Sequence, residues 1–367
     1  MATNNETTPI VVKGKKAVDE DCKKKRKKGH ASTTTTTTTT KISEIGLVGM
    51  MAVLLLLSFV SNSNSNDKHN TQRLGSNSGG TTTVGTAPIK TVNLLRSSAG
   101  GRIIVVHKQH PLTMNEYYSG IDNSATDNTL RVALQKLVSK KTHFSYKKIW
   151  DAFAAVDKFL PGYPCDPSDL TKIPDIYSGK CWSPQLNVLE GECGNFKKEG
   201  DCFNREHSWP KSWFGGFSAG DGAQTDLFEL YPSDGYVNNL RGNLPFGYVK
   251  EGTETYTSTN GSKIGICKSD EARGKCFEIA DYLKGDLARS YFYLSTAYYQ
   301  KWDCCDVAGV DKSHIKTWMQ NDMRNWHTND PVDVIEQQRN DEIYNNWQHN
   351  RNPFIDHPEW VDQITDF

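Results

Sequence analysis

The sequence predicts an α+β domain in which helices surround a small, irregular, β-containing centre. Three observations carry this. Apolar residues recur at helical spacing over residues 128–159 and again over 277–348. Between these blocks, from Pro161 to about Cys276, lie most of the glycines, prolines and cysteines, which reads as a loop-rich region with short strands. Aromatic residues make up 10% of the 367-residue chain, enough to fill a core of one or two domains.

The N-terminal hundred residues have a different character. Residues 1–44 hold ten Lys and Arg against five Asp and Glu, and include the block Lys23–Lys28 and a threonine tract, Thr33–Thr40. The remaining residues carry 33 Lys and Arg against 38 Asp and Glu, so the net charge of zero hides a basic end and a mildly acidic body. An acidic body excludes nucleic-acid binding by bulk charge; phosphate recognition would need a local site or a metal.

Residues 45–60 (IGLVGMMAVLLLLSFV) are uncharged, a length between a signal-peptide core and a full membrane span. The cations precede this run, which places the N-terminus in the cytoplasm and the body across the membrane, as a cleaved signal peptide or a type II signal anchor that would hold the chain to the membrane. Residues 61–115 read as a flexible polar linker and 116–367 as the folded domain. Eight of the nine cysteines lie in that domain, an even number that fits disulfides in an exported chain. The expected location is therefore extracytoplasmic, and Asn260-Gly261-Ser262 becomes a glycosylation acceptor.

Within the domain, Leu130, Leu134, Leu137 and Val138 share one helical face. Ser145 is placed to cap a helix presenting Ile149, Trp150, Phe153 and Val156. Ile279, Leu283, Leu287, Tyr291, Leu294 and Tyr298 predict one long amphipathic helix. Asp330 as cap and Pro331 at the first position predict another, with Val334, Ile335, Ile343 and Trp347 inward.

Two central segments hold the plausible chemistry, Asn204–Pro210 (NREHSWP) and Thr225–Gly247 (TDLFELYPSDGYVNNLRGNLPFG). Glu206 and Asn238 offer oxygen ligands for a hard cation, His207 a base near neutral pH, and Arg241 a cation for a phosphate. Read alone, Arg205-Glu206-His207 also fits a solvated turn with His207 packed on Trp209. On a regular strand the adjacent Glu206 and His207 would face opposite sides, so one site needs a strand end, bulge or edge. Trp209 and Trp213 read as core or as stacking platforms for bases, Arg289 as a buried ion-pair partner or a phosphate clamp, and Asn350–Pro358 as a C-terminal strap.

The segments YYSG (from Tyr117), SYKKIWDAF, CFNREHSWPKSWF, TDLFELYPSDGYVNNLRGNLPFG, LKGDLARSYFYLSTAYY and NDEIYNNWQHNRNPFIDHPEWVDQI follow one another over residues 116–364. In this order they resemble the endonuclease I family, exported nonspecific nucleases built on a ββα-metal (His-Me finger) motif. The resemblance implies Glu206 and Asn238 as metal ligands, His207 as general base, and Mg²⁺ as cofactor with Mn²⁺ or Ca²⁺ as substitutes. It implies a monomer that cleaves DNA, with RNA as a second substrate, through phosphate contacts and with little sequence preference.

There are departures. Asn238-Asn239 stands where the family often has Asn-Gly, and Phe228-Glu229 where it has His-Asn. No arginine lies between His207 and Asn238, so Lys211 or Arg241 is the expected phosphate contact. The departures keep two rival readings open: a disulfide-bonded surface module with a decayed site, and a phosphodiesterase of small esters.

Overall fold

The computed structural model describes residues 111–157, 172–183, 195–214, 222–302 and 306–367, Cys165 and Cys193 singly, and the backbone of two upstream strands, β1 (Asn93–Leu95) and β2 (Ile104–Val106). The strands pair antiparallel, Asn93 opposite Val106, within the stretch expected to be linker. They lie in a separate unit from residues 111–367. The basic block, the apolar run at 45–60 and Cys304-Cys305 lie outside the described residues. Among the described residues no helix is long and apolar enough to cross a membrane.

The larger unit is α+β, as expected. Helices α1 (Met114–Tyr117), α2 (Asp127–Val138) and α3 (Ile149–Val156) precede short strands β3 (Ile173–Pro174) and β4 (Cys181–Trp182). Next come β5 (Phe203–His207), β6 (Leu230–Asp234) and α4 (Gly235–Arg241), a ββα unit in sequence order. A three-stranded sheet, β7 (Tyr256–Thr257), β8 (Lys263–Ile266) and β9 (Lys275–Glu278), leads into α5 (Lys284–Ala297). The small hairpin β10 (Val310–Asp311) and β11 (His314–Ile315) is followed by α6 (Thr317–Asn329), α7 (Val334–Glu342) and α8 (Pro353–Asp356).

Helix α2 buries Leu130, Leu134 and Val138, and α3 buries Ile149, Phe153 and Val156, as the periodicity predicts. Ser145 does not cap α3 with its side chain; a 3₁₀ turn, Tyr146–Lys148, leads into the helix instead. The long helix expected from Phe277 begins only at Lys284, because residues 275–278 pair with β8. Every residue of α5 is buried, so it is a central helix rather than an amphipathic surface one. Its polar members have partners: Arg289 Nε donates to Glu336 Oε1 (2.7 Å), and Ser295 Oγ to the Ser313 carbonyl (2.6 Å). Arg289 is thus an ion-pair centre, also bonded to Asp286.

The cap of α7 is Asp333, which accepts from the Glu336 amide (2.8 Å); Asp330 instead accepts from the Gly285 amide at the start of α5. Val334 is exposed, and the buried face of α7 is Glu336, Arg339 and Asn340. Residues 350–352 are buried against α5 through Asn350 Nδ2 to Tyr293 Oη (2.8 Å) and Asn352 Nδ2 to the Arg289 carbonyl (3.1 Å), the strap the sequence predicts. Trp209 and Trp213 are core residues, Trp209 stacking on Tyr291 with ring centroids 5.0 Å apart, so neither is presented to a base.

Three disulfides are present among the described residues: Cys165–Cys181, Cys193–Cys202 and Cys267–Cys276. The second fastens the residue that precedes β5. The Asn260 amide is turned inward, donating to the Ile176 carbonyl (3.1 Å), while Oδ1 accepts from Ser258 Oγ (2.8 Å). The folded protein therefore does not offer this nitrogen for glycosylation.

Candidate active site

Strands β5 and β6 pair antiparallel with Glu206 opposite Tyr231 and His207 opposite Leu230. Pro232 can sit in β6 because its carbonyl accepts from Ile176 N (3.0 Å), on the side away from β5, so the missing N–H interrupts no bond to β5. The chain then enters α4 at once. Asp234 caps it, accepting from the amides of Tyr236 (2.9 Å) and Val237 (3.0 Å), and Gly242, with φ of 57°, ends it. A helix of two turns is thereby fixed against β5, with Asn238 and Arg241 one turn apart on its inner face.

Glu206 and His207 meet different partners on opposite sides of β5, and His207 is the last residue of the strand. Glu206 is 3% exposed. Its Oε1 accepts from Tyr177 Oη (2.6 Å) and from Arg241 Nη1 (2.7 Å). Both of these bonds end on Oε1. Burial raises its carboxyl above the ordinary value, with Arg241 and Tyr177 opposing. Asn238 is half-buried, and its Nδ2 donates to Ser233 Oγ (3.1 Å) and towards the Arg205 carbonyl (3.5 Å). These bonds orient the amide over the β5 backbone next to Glu206 and use only its nitrogen.

His207 is buried on the other side. Its Nδ1 lies 2.8 Å from Glu229 Oε2, and its Nε2 lies 3.2 Å from Tyr146 Oη, whose ring stacks on the imidazole at 5.8 Å. Burial holds His207 well below the ordinary histidine value, and the charges of Lys211 and Arg205 act in the same direction. Burial likewise raises Glu229, with Glu206 and Asp226 adding to it. Both shifts oppose charge on the pair and favour a neutral imidazole.

The two expected phosphate contacts separate. Arg241 is fully buried: besides Glu206, Nη1 reaches the His207 carbonyl (3.1 Å), Nη2 the Ser208 carbonyl (2.7 Å) and Nε the Leu244 carbonyl (3.1 Å). Its donors point into the fold, not toward a ligand, which departs from the phosphate role expected of it. Lys211 is half-buried on the His207 side, its Nζ 5.9 Å from the centre of the Tyr146 ring. Arg205 shares that strand face, its guanidinium 3.9 Å from the same ring.

Four residues at the site escape the sequence reading: Tyr146, Tyr177, Glu229 and Tyr291, whose hydroxyl donates to the Ser208 carbonyl (2.7 Å). Only Glu229 carries a sequence signal, as one of the departures from the pattern that the resemblance implies. The tyrosines read as core aromatics.

The donor set suits a hard cation. Glu206 Oε2 and Asn238 Oδ1 take none of the hydrogen bonds found among the described residues, and one carboxylate with one amide oxygen is the sparse set that Mg²⁺ accepts while keeping several waters. Among the described residues there is no cluster of three or more His, Cys, Asp or Glu able to hold a metal, so a thiolate- or histidine-rich site does not compete.

Comparison with known proteins identifies the family. The family model described as Endonuclease I matches residues 126–359. The chain is 35% identical over 255 residues to an extracellular ribonuclease of Bacillus subtilis (strain 168), covering 68% of this chain and 77% of that protein. It is 31% identical over 277 residues to an extracellular ribonuclease of Bacillus amyloliquefaciens, covering 73% and 86%. The chain belongs to the endonuclease I family and is accordingly a nuclease, a hydrolase of phosphodiester bonds in nucleic acid.

Proposed function

We propose that this nuclease is a metal-dependent endonuclease that cleaves both RNA and DNA with little sequence preference. The observation that carries the proposal is the placement of Glu206 and His207 at the end of β5 beside the helix that bears Asn238. RNA enters the substrate range because both relatives are named ribonucleases. DNA enters because a water-activating base needs no 2′-hydroxyl. Contacts made to the phosphodiester backbone carry no sequence information.

Glu206 Oε2 and Asn238 Oδ1 are the atoms that would hold Mg²⁺. A bound divalent cation supplies charge neutralisation at the phosphate and the leaving oxygen. His207 Nε2 accepts the proton of the attacking water, and burial keeps that nitrogen unprotonated beforehand. Arg241 and Tyr177 hold Oε1 of Glu206 and so aim its other oxygen. Lys211 supplies a cation on the face of β5 that His207 occupies, which fits a contact to the substrate phosphate. The departures from the family pattern take nothing from this set: Phe228 packs in the core against Tyr293, and Glu229 bonds the imidazole.

Export fits the three disulfides, and both relatives are named extracellular. N-terminal sequencing of the mature protein distinguishes a cleaved leader from a retained one. The functional test is nicking of a supercoiled plasmid and degradation of RNA by wild type and by Glu206→Ala, His207→Ala and Asn238→Ala, with and without chelator. All three variants should lose at least about 100-fold in rate. Wild-type rates in the His207 and Glu206 variants would sink the assignment.

A further inference from the structure

Glu229 is the one buried carboxylate beside the candidate base that the reaction scheme above leaves without a task. Its side chain is fully buried, and Oε2 lies 2.8 Å from His207 Nδ1. Its other oxygen, Oε1, is buried with no hydrogen-bond partner. The residue is rigidly placed: its carbonyl accepts from the Ser208 amide (3.1 Å) and from Ser208 Oγ (2.8 Å), and its own amide donates to the Asp226 carbonyl (2.9 Å). Ser208 follows His207 directly, so the backbone ties the two partners from both ends.

A buried carboxylate costs free energy, and removing the hydrogen-bond partner of one costs more. The position is therefore a poor choice for stability alone; an apolar residue of similar size would fill it at lower cost. What the carboxylate does supply is a fixed acceptor for a proton on Nδ1. In the neutral ring a proton on Nδ1 leaves the lone pair on Nε2, and Nε2 is the nitrogen facing Tyr146 on the side of Lys211 and Arg205.

We infer that Glu229 is a positioning residue for the nuclease reaction: it holds His207 in the tautomer with Nδ1 protonated and in the ring orientation that presents Nε2 to water. This rests on the reading of His207 as the base. An ionised Glu229 accepts only, so its pair with Nδ1 places the ring proton there; a protonated carboxyl would instead donate to Nδ1, and that is what a proton on Nε2 would report.

The test uses full-length protein with ¹⁵N-labelled histidine, the His207 signals being identified by their loss in His207→Ala. In wild type, long-range ¹H–¹⁵N spectra should show a protonated Nδ1 and an unprotonated Nε2; a proton on Nε2 would overturn the inference. Steady-state cleavage by Glu229→Gln, which keeps the size of the side chain, should show kcat lowered by about 10- to 100-fold with KM within about twofold. A fall in kcat of less than about fivefold overturns it. Glu229→Leu, which removes the acceptor altogether, should lose the tautomer preference; a protonated Nδ1 retained there also overturns it. If His207→Ala cleaves at the wild-type rate, the reading of the base has failed; if that variant is inactive and Glu229→Gln is unimpaired, only the role of Glu229 has failed.

Discussion

Arg241 and Glu206 form a buried ion pair, Nη1 to Oε1 at 2.7 Å, with both side chains almost wholly out of solvent. The pair joins α4 to β5, the two elements that carry Asn238 and His207. The guanidinium also spans three backbone carbonyls, those of His207, Ser208 and Leu244. Replacing Arg241 by Met should therefore leave Glu206 as an unpaired buried carboxylate and cost about 3–5 kcal/mol of stability, read by urea or thermal denaturation. Arg241→Lys should recover only part, because a single ammonium cannot reach the same set of acceptors. If Arg241→Met unfolds as wild type does while cleavage is lost, the arginine acts on substrate after all.

Gly235 opens α4 where there is no room for a side chain. A Cβ there would meet Cys193 Sγ at 1.9 Å and Cys202 Sγ at 3.3 Å. Gly235→Ala must displace either the Cys193–Cys202 disulfide or the helix start, and should cost about 1–3 kcal/mol. Because Asn238 lies one turn further on, nuclease activity should fall with it. Removing the sulfurs by Cys193→Ala and Cys202→Ala should make the added methyl nearly harmless. A cycle showing simple additivity would mean that the crowding is not the cause.

The parts of the site that lie close in sequence were legible, and the parts that meet only through folding were not. The ββα order that the resemblance implies puts Asn238 on a helix behind two strands, and that helix is Gly235–Arg241, capped by Asp234. Arg241 stands one turn after Asn238, so both address the same strand, yet the sequence does not say that the guanidinium is fully enclosed. Glu229 and His207 are 22 residues apart and meet because the register sets His207 against Leu230. Tyr177 reaches Glu206 from a different pair of strands, and nothing local distinguishes it from a core tyrosine. The long helix is shortened for a related reason: Phe277 and Glu278 pair with β8, and Asp281–Leu283 form a 3₁₀ turn that leads into α5, so the helical spacing of this stretch gives way to strand and turn.

The proposed Glu206 and Asn238 ligand set makes a prediction that does not depend on cleavage. A ligand that binds only the folded state raises stability with the logarithm of its concentration over its dissociation constant. With Mg²⁺ or Mn²⁺ at about 100 times its dissociation constant, the gain is about 2.7 kcal/mol. Thermal denaturation of wild type should then rise by several degrees, about 2–4 °C for each kcal/mol in a domain of this size. Glu206→Ala and Asn238→Ala should each lose most of that rise. An equal rise in both variants would place the cation elsewhere.

Acid stability should depend on His327, far from the cleavage chemistry. Arg289 Nη1 donates to its Nδ1 (3.3 Å), so the imidazole is neutral in the fold, and burial first, then Arg289, lowers it from the ordinary 6.5 to about 4. A base whose folded value is depressed takes up fewer protons in the folded than in the unfolded chain between those two values. Its contribution is thus present above about pH 6.5 and is lost as the pH falls toward 4. His327 is partly exposed, and solvent screening brings the loss between pH 7 and pH 5 down to about 1 kcal/mol. His327→Gln can accept the same hydrogen bond from Arg289 and does not titrate. Its melting temperature should therefore fall about 2–4 °C less than that of wild type between pH 7 and pH 5. Parallel pH profiles for the two proteins would mean that the Arg289 contact does not hold His327 neutral.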